Sequence, residues 1–214
     1  MNRVFYAKIY KKLIGRFYYN PFKKEMIDEE IVFIHIPKSG GTSIATAIIG
    51  KPAGHPYLYE YYLADKELTK KFYKFCVVRN PYDRLVSAYA HISKRDCNPE
   101  FKVLFKKLKI NSFDDLILNL DNPRNYQKLF NTIVHFRSQY ELIYHTKVKM
   151  DDIFKFENFD LIEISLNKRL KNKISLKKMN SSPRNDYREY YNDYSISVVK
   201  RIYKKDLEMF NYTF

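Results

Sequence analysis

Residues Ile31–Gly50, IVFIHIPKSGGTSIATAIIG, constrain what this chain can fold into more than any other stretch. The apolar run Ile31–Ile36 has the pattern of a strand buried on both faces. Thr42–Ile49 is small and apolar and continues as a helix. Between them lies Pro37-Lys38-Ser39-Gly40-Gly41-Thr42-Ser43, whose two glycines let the backbone turn sharply and come close to a ligand. The following helix points its first-turn N–H groups and the positive end of its dipole at this loop. Lys38 adds a full charge, and Thr42 and Ser43 add hydroxyl donors. The segment therefore predicts a cradle for a phosphate-like anion. It is not the G-x-x-x-x-G-K-[ST] loop, in which lysine follows the last glycine and a hydroxyl residue holds magnesium. Here the lysine comes first.

A second strand–helix unit lies downstream. Phe72–Val78, FYKFCVV, reads as a buried strand that ends at Arg79. Asn80 as N-cap, Pro81 at the first helical position and Asp83 in the first turn open a helix that runs to about Lys94. Arg79 thus stands at the carboxyl end of a strand, where open α/β sheets bind ligands, and Ser87 lies two turns into the helix. An arginine fork and a hydroxyl so placed can grip one phosphate from two sides. The plainer alternatives are a surface ion pair for Arg79 and an idle helix-face hydroxyl for Ser87.

Elsewhere, Tyr57–Leu63 is rich in Tyr and Leu, and Phe101–Leu108 has apolar residues at helical spacing with lysines between them. Ser112 can cap a short helix over Phe113–Leu120, which Asp121-Asn122-Pro123 breaks. Tyr140–Tyr144 and Ile153–Phe156 are strand-like. Phe159–Leu170 is helical, Lys168–Arg184 is loop-like, and Ser195 opens a final helix through Phe210. Strands alternating with helices predict an α/β fold, a P-loop-like parallel sheet flanked by helices.

At 214 residues one domain is expected, with residues 1–28 forming a basic, aromatic N-terminal segment. That segment is expected to pack on the domain or mark a basic surface, with peripheral membrane contact as the alternative. No apolar run reaches the roughly 18–20 residues of a membrane span, and charges interrupt the N-terminus too often for a signal-peptide core. A hydrophobic content of 45% excludes a disordered chain. The net charge of +15 predicts an anionic partner, such as a nucleotide, acidic glycan, nucleic acid or membrane surface. Cys76 and Cys97 make neither a disulfide framework nor a zinc set. Cys76, inside an apolar run, reads as a buried small hydrophobe.

HIPKSGG-TS followed by VVRNPYDRLVSAY resembles the family-2 type of sulfotransferase, which includes carbohydrate-sulfating enzymes. The weaker pattern Phe154-Lys155-Phe156-Glu157-Asn158, Asn180-Ser181-Ser182 and Asp206…Phe210-Asn211-Tyr212…Phe214 extends the resemblance over residues 31–214. It implies transfer of a sulfuryl group from 3′-phosphoadenosine 5′-phosphosulfate (PAPS) to an acceptor hydroxyl without a metal, leaving 3′-phosphoadenosine 5′-phosphate (PAP). In that family the first loop holds the 5′-phosphosulfate, here through Lys38, Ser39, Gly40, Gly41, Thr42 and Ser43, with Lys38 on the leaving oxygen. The second unit holds the 3′-phosphate, here through Arg79 and Ser87. Ser182 and Arg184 fall where the family places a loop over the adenine and 3′-phosphate.

An alcohol acceptor benefits from a general base, and histidine is the side chain most readily neutral and basic near pH 7. His35, inside the first strand, is expected to be a satisfied core residue. His91 and His145 carry no distinguishing context. His55, in Gly54-His55-Pro56-Tyr57-Leu58, resembles the segment carrying the catalytic histidine of glycosaminoglycan 2-O-sulfotransferases. His135 is the rival. Its segment His135-Phe136-Arg137-Ser138-Gln139 resembles one lining the acceptor side of related enzymes, so His135, Arg137 and Gln139 are candidate substrate contacts. Glu157 is either a second acid/base group or, the favoured reading, a helix cap.

The family's glycosaminoglycan enzymes are usually longer and membrane-anchored. This chain is therefore expected to be a bacterial, cytoplasmic enzyme acting on a glycan or glycolipid and not on nucleic acid. A basic nucleic-acid-binding module and an ATP-dependent P-loop kinase are the alternatives.

Overall fold

A computed structural model describes residues 20–94, 97–176 and 185–214. The N-terminus through residue 19, Ser182 and Arg184 lie outside the described residues. In chain order, α1 (Lys24–Asp28) leads into β1 (Ile31–Ile34), α2 (Gly41–Ile49), α3 (Leu58–Ala64), α4 (Lys66–Lys71) and β2 (Tyr73–Val78). Then come α5 (Pro81–Ile92), α6 (Pro99–Lys107), α7 (Phe113–Asp121), α8 (Pro123–Thr132) and α9 (Gln139–Ile143). β3 (Asp152–Lys155), α10 (Phe159–Asn167), α11 (Asp193–Ile202) and α12 (Lys204–Phe210) complete the order.

The three strands form one parallel sheet with β2 in the centre. Ile31 pairs with Tyr73 on one side, and Phe75 pairs with Asp152 on the other. All four residues of β1 and the last five of β2 are buried, which explains why both read as unbroken apolar runs rather than alternations. The fold is α/β, a small parallel sheet flanked by helices.

Two compact units are recognisable, each assembled from two separated segments: Met1–Val78 with Glu141–Ser181, and Arg79–Tyr140 with Ser182–Phe214. The first holds the sheet, its core built on Val32, Ile34, Ile44, Phe75, Val78 and Leu166. Cys76 is fully buried there, and desolvation raises its thiol pKa, so it packs as a small hydrophobe. The second unit is helical around Leu85, Val86, Leu116, Ile117, Leu129 and Val199.

Three helices of the second unit start the same way. Asn80, Asn98 and Asn122 each cap a helix whose first residue is proline, accepting from the N–H two residues on. An asparagine acceptor satisfies an orphan donor, and proline has no N–H to orphan. Asn122-Pro123 therefore does more than break α7. It also starts α8, a helix absent from the sequence reading although its cap signal is present.

Two further elements differ from expectation. Tyr140–Ile143 is not a strand but part of α9, with Tyr144 just beyond it, because so short a run does not distinguish the two. The expected final helix is two, interrupted at Tyr203, whose hydroxyl donates to the Phe136 carbonyl at 2.6 Å. Asn192, not Ser195, is the N-cap of α11, and Ser195 completes the capping box with it. At α10 the N-cap is Asn158 and not Glu157.

Candidate active site

In the first unit, the chain leaves β1 through His35 and Ile36 and turns over residues 37–40. Lys38 and Gly40 both have left-handed backbone, with φ of 67° and 76°. For lysine that conformation is strained, and such strain concentrates at functional loops. Gly40 is the N-cap of α2 and, having no side chain, offers no side-chain cap of its own to the first turn. Ser39 and Ser43 are buried, while Lys38, Gly40 and Thr42 are partly exposed.

Gly41 has a reason that the sequence did not reveal. A Cβ there would lie 2.1 Å from His35 Cδ2, so the imidazole is pressed against the Gly41 backbone. His35 is 5% exposed, and its Nδ1–H donates to the Ala53 carbonyl at 3.0 Å. It is a buried, satisfied histidine as expected, but it also packs against the glycine turn at Gly41. His55 packs on the same ring, with centroids 4.4 Å apart. His55 Nδ1–H donates to the His35 carbonyl at 2.8 Å, because a carbonyl can only accept. That bond fixes the tautomer and leaves the basic lone pair on Nε2.

Burial pushes the His35 pKa down to about 3, with the neighbouring His55 adding to the effect and carbonyl contacts opposing it. His55 is lowered too, first by burial and then by the charge of Lys38, against the carbonyl bond to His35. Both rings are therefore neutral at pH 7. This has a consequence for stability. An unfolded chain protonates each histidine near pH 6.5, whereas the native His35 resists until about pH 3. The contribution is complete above pH 6.5 and is lost progressively as pH falls from there towards the native value of about 3. The thermal midpoint should drop as pH is lowered from 7.5 to 5, and His35→Gln should flatten the slope. An identical slope in the variant would contradict this assignment.

In the second unit, Arg79 directs Nε and Nη2 onto Asp83 Oδ2 at 2.7 and 2.6 Å. Ser87 stands one helical turn beyond Asp83, so the three residues run along one face of α5 and its N-terminus. The Arg79 backbone is held by the Gln139 side chain. Gln139 Oε1 accepts from Arg79 N–H at 2.9 Å, and Nε2 donates to the Arg79 carbonyl at 2.8 Å. Gln139 is 0% exposed, so its amide serves Arg79 rather than contacting an acceptor directly. Arg137 is directed to the end of α8, its Nε donating to the Phe130 carbonyl at 2.8 Å and Nη2 reaching that of Asn131. His135 is half-buried, its ring 5.2 Å from that of His91 and 5.8 Å from Phe101. His145 packs on Tyr62 in the first unit.

Two buried residues escaped the sequence reading as structural centres. Arg84, 1% exposed, donates to the carbonyls of His135 and Arg137 at 3.0 and 2.6 Å. Asp206, 0% exposed, accepts from Ser138 Oγ at 2.5 Å and from the N–H groups of Gln139 and Tyr140, both at 2.9 Å. Isolated charged residues inside helical patterns read as solvated face, and no local signal marks these two as buried.

A family model described as "Sulfotransferase family" matches residues 27–213. No curated protein and no solved structure matches this chain.

Proposed function

The chain belongs to the sulfotransferase family, and from that premise we infer that it moves a sulfuryl group from PAPS to a hydroxyl of a carbohydrate or glycolipid, with His55 as general base. The observation that carries this reading is the bond from His55 Nδ1–H to the His35 carbonyl, which puts the basic lone pair of the neutral ring on Nε2. Desolvation and the charge of Lys38 keep that nitrogen unprotonated at neutral pH.

The anion loop fits a nucleotide phosphate. Its helix starts on a glycine without a capping side chain, and His35 holds Gly41 where no larger residue fits. Gly40, Gly41 and Thr42 would bind the 5′-phosphate through N–H groups and the Thr42 hydroxyl, with Ser39 and Ser43 shaping the loop from inside. Lys38 would stabilise charge developing on the leaving oxygen. A sulfuryl group carries less charge than a phosphoryl group, so a lysine and backbone dipoles suffice. The acceptor O–H bond breaks as its oxygen bonds to sulfur, the proton goes to His55 Nε2, and the electrons of the broken S–O bond stay on the leaving phosphate. Arg79 and Ser87 would hold the 3′-phosphate, with Ser182 and Arg184 as further donors. His135 remains the candidate acceptor contact. The net charge of +15 favours an anionic acceptor.

Calorimetric titration with PAP and with 5′-AMP, each with and without magnesium, tests this. PAP should bind in the micromolar range independently of magnesium and far more tightly than AMP, and Arg79→Ala should abolish the difference. Equal binding of PAP and AMP would overturn the reading, and metal-dependent ATP turnover would favour a kinase.

A further inference from the structure

Arg79 occupies an awkward place in the chain. It lies one residue beyond Val78, whose pairing with Lys155 is the last rung of β2, and one residue before the N-cap of α5. Its backbone N–H and C=O therefore belong to neither sheet nor helix, although buried peptide groups need partners. Gln139 supplies both. A primary amide can donate and accept side by side, so one side chain reproduces the two-bond exchange that a neighbouring strand residue would make.

Gln139 is itself held rigidly. Its N–H and those of its neighbours converge on Asp206, which fixes Ser138, Gln139 and Tyr140 together. Arg84 and Tyr203 pin the carbonyls of residues 135, 136 and 137 just before. The whole chain of contacts, Asp206 to Gln139 to Arg79, lies within the second unit, with Asp206 and Gln139 fully buried and Arg79 partly so. At its far end the Arg79 side chain is aimed by Asp83. An arginine fork discriminates a phosphate only when backbone and guanidinium are both fixed, because bidentate geometry tolerates little displacement.

We propose that Gln139, held by Asp206, is a positioning residue that sets selectivity for nucleotides bearing a 3′-phosphate by locking the backbone of Arg79. The proposal rests on Arg79 being the 3′-phosphate ligand, as inferred above. Gln139 acts through Arg79 and does not touch the nucleotide. Its loss should therefore weaken PAP binding and leave AMP, which has no 3′-phosphate, unaffected.

The test is titration of PAP and AMP into the wild-type protein and Gln139→Met, which keeps the side-chain length but loses both hydrogen bonds. The ratio of the two affinities should fall about ten- to a hundredfold in the variant, entirely through PAP. A purely structural role would lower the thermal midpoint but leave the ratio in the folded protein unchanged. That outcome, or equal weakening of both nucleotides, would overturn the proposal. Should Gln139→Met fail to fold, Gln139→Asn, which is too short to keep both bonds, gives the same readout. A wild-type protein without preference for PAP would instead refute the PAPS reading, and this selectivity role with it. A wild-type preference that survives in the variant would refute the positioning role alone.

Discussion

His55→Ala should lower sulfuryl transfer about 100- to 10,000-fold while leaving PAP affinity unchanged. The expectation follows from where the proton must go. His55 Nδ1–H is committed to the His35 carbonyl, so only Nε2 can accept a proton from the acceptor hydroxyl. Removing the imidazole removes the proposed base but none of the groups proposed to hold the nucleotide. Transfer from PAPS across a panel of sugar and glycolipid acceptors, with calorimetry of PAP alongside, separates the two effects. Because burial and Lys38 depress the His55 pKa, the acid limb of the rate–pH profile should lie below the ordinary histidine value of about 6.5. Turnover undiminished in His55→Ala would transfer the role of base to another group, with His135 the first to try.

Asp206→Ala should cost the most stability of any single substitution considered. Its carboxylate is fully buried and accepts three hydrogen bonds from consecutive residues. Alanine leaves all three donors without their carboxylate acceptor in a buried site. At about 1–3 kcal/mol for each orphaned group, the loss is about 3 kcal/mol or more. For a chain of this size that corresponds to a fall of about 6 to 12 °C in the thermal midpoint. Asp206→Asn should fall between the two. The retained oxygen can serve Ser138 and Tyr140, but the new NH₂ faces the N–H of Gln139. Calorimetric unfolding of the three proteins checks the order. An alanine variant as stable as wild type would mean that residues 138–140 do not depend on this carboxylate.

The two motifs were legible because each packs its information locally. In Ile31–Gly50, a run of buried β residues, two glycines and an apolar helix follow within twenty positions, and each follows from its own neighbours. Asn80-Pro81 likewise announces its helix without outside help. The same signal at Asn122-Pro123 serves two purposes at once, ending α7 and starting α8, and the stop masks the start. α9 is illegible locally for a different reason. Its first turn is held by Asp206, more than sixty residues later, and a five-residue segment cannot reveal such a partner.

The candidate site divides along the same line. That a glycine turn follows β1, with Lys38 ahead of two glycines, and that Arg79 directly follows β2 are matters of chain order and spacing, and sequence alone determined them. The tertiary structure decided what those residues rest on. It set His35 against Gly41, gave His55 its tautomer, made Gln139 a support for Arg79 rather than an acceptor contact, and buried Asp206. Each of these depends on a partner between eighteen and sixty-eight residues away or on a side chain withdrawn from water. Spacing along a chain specifies which groups can act together locally. Only packing specifies which polar group loses its water and must therefore find its partner within the protein.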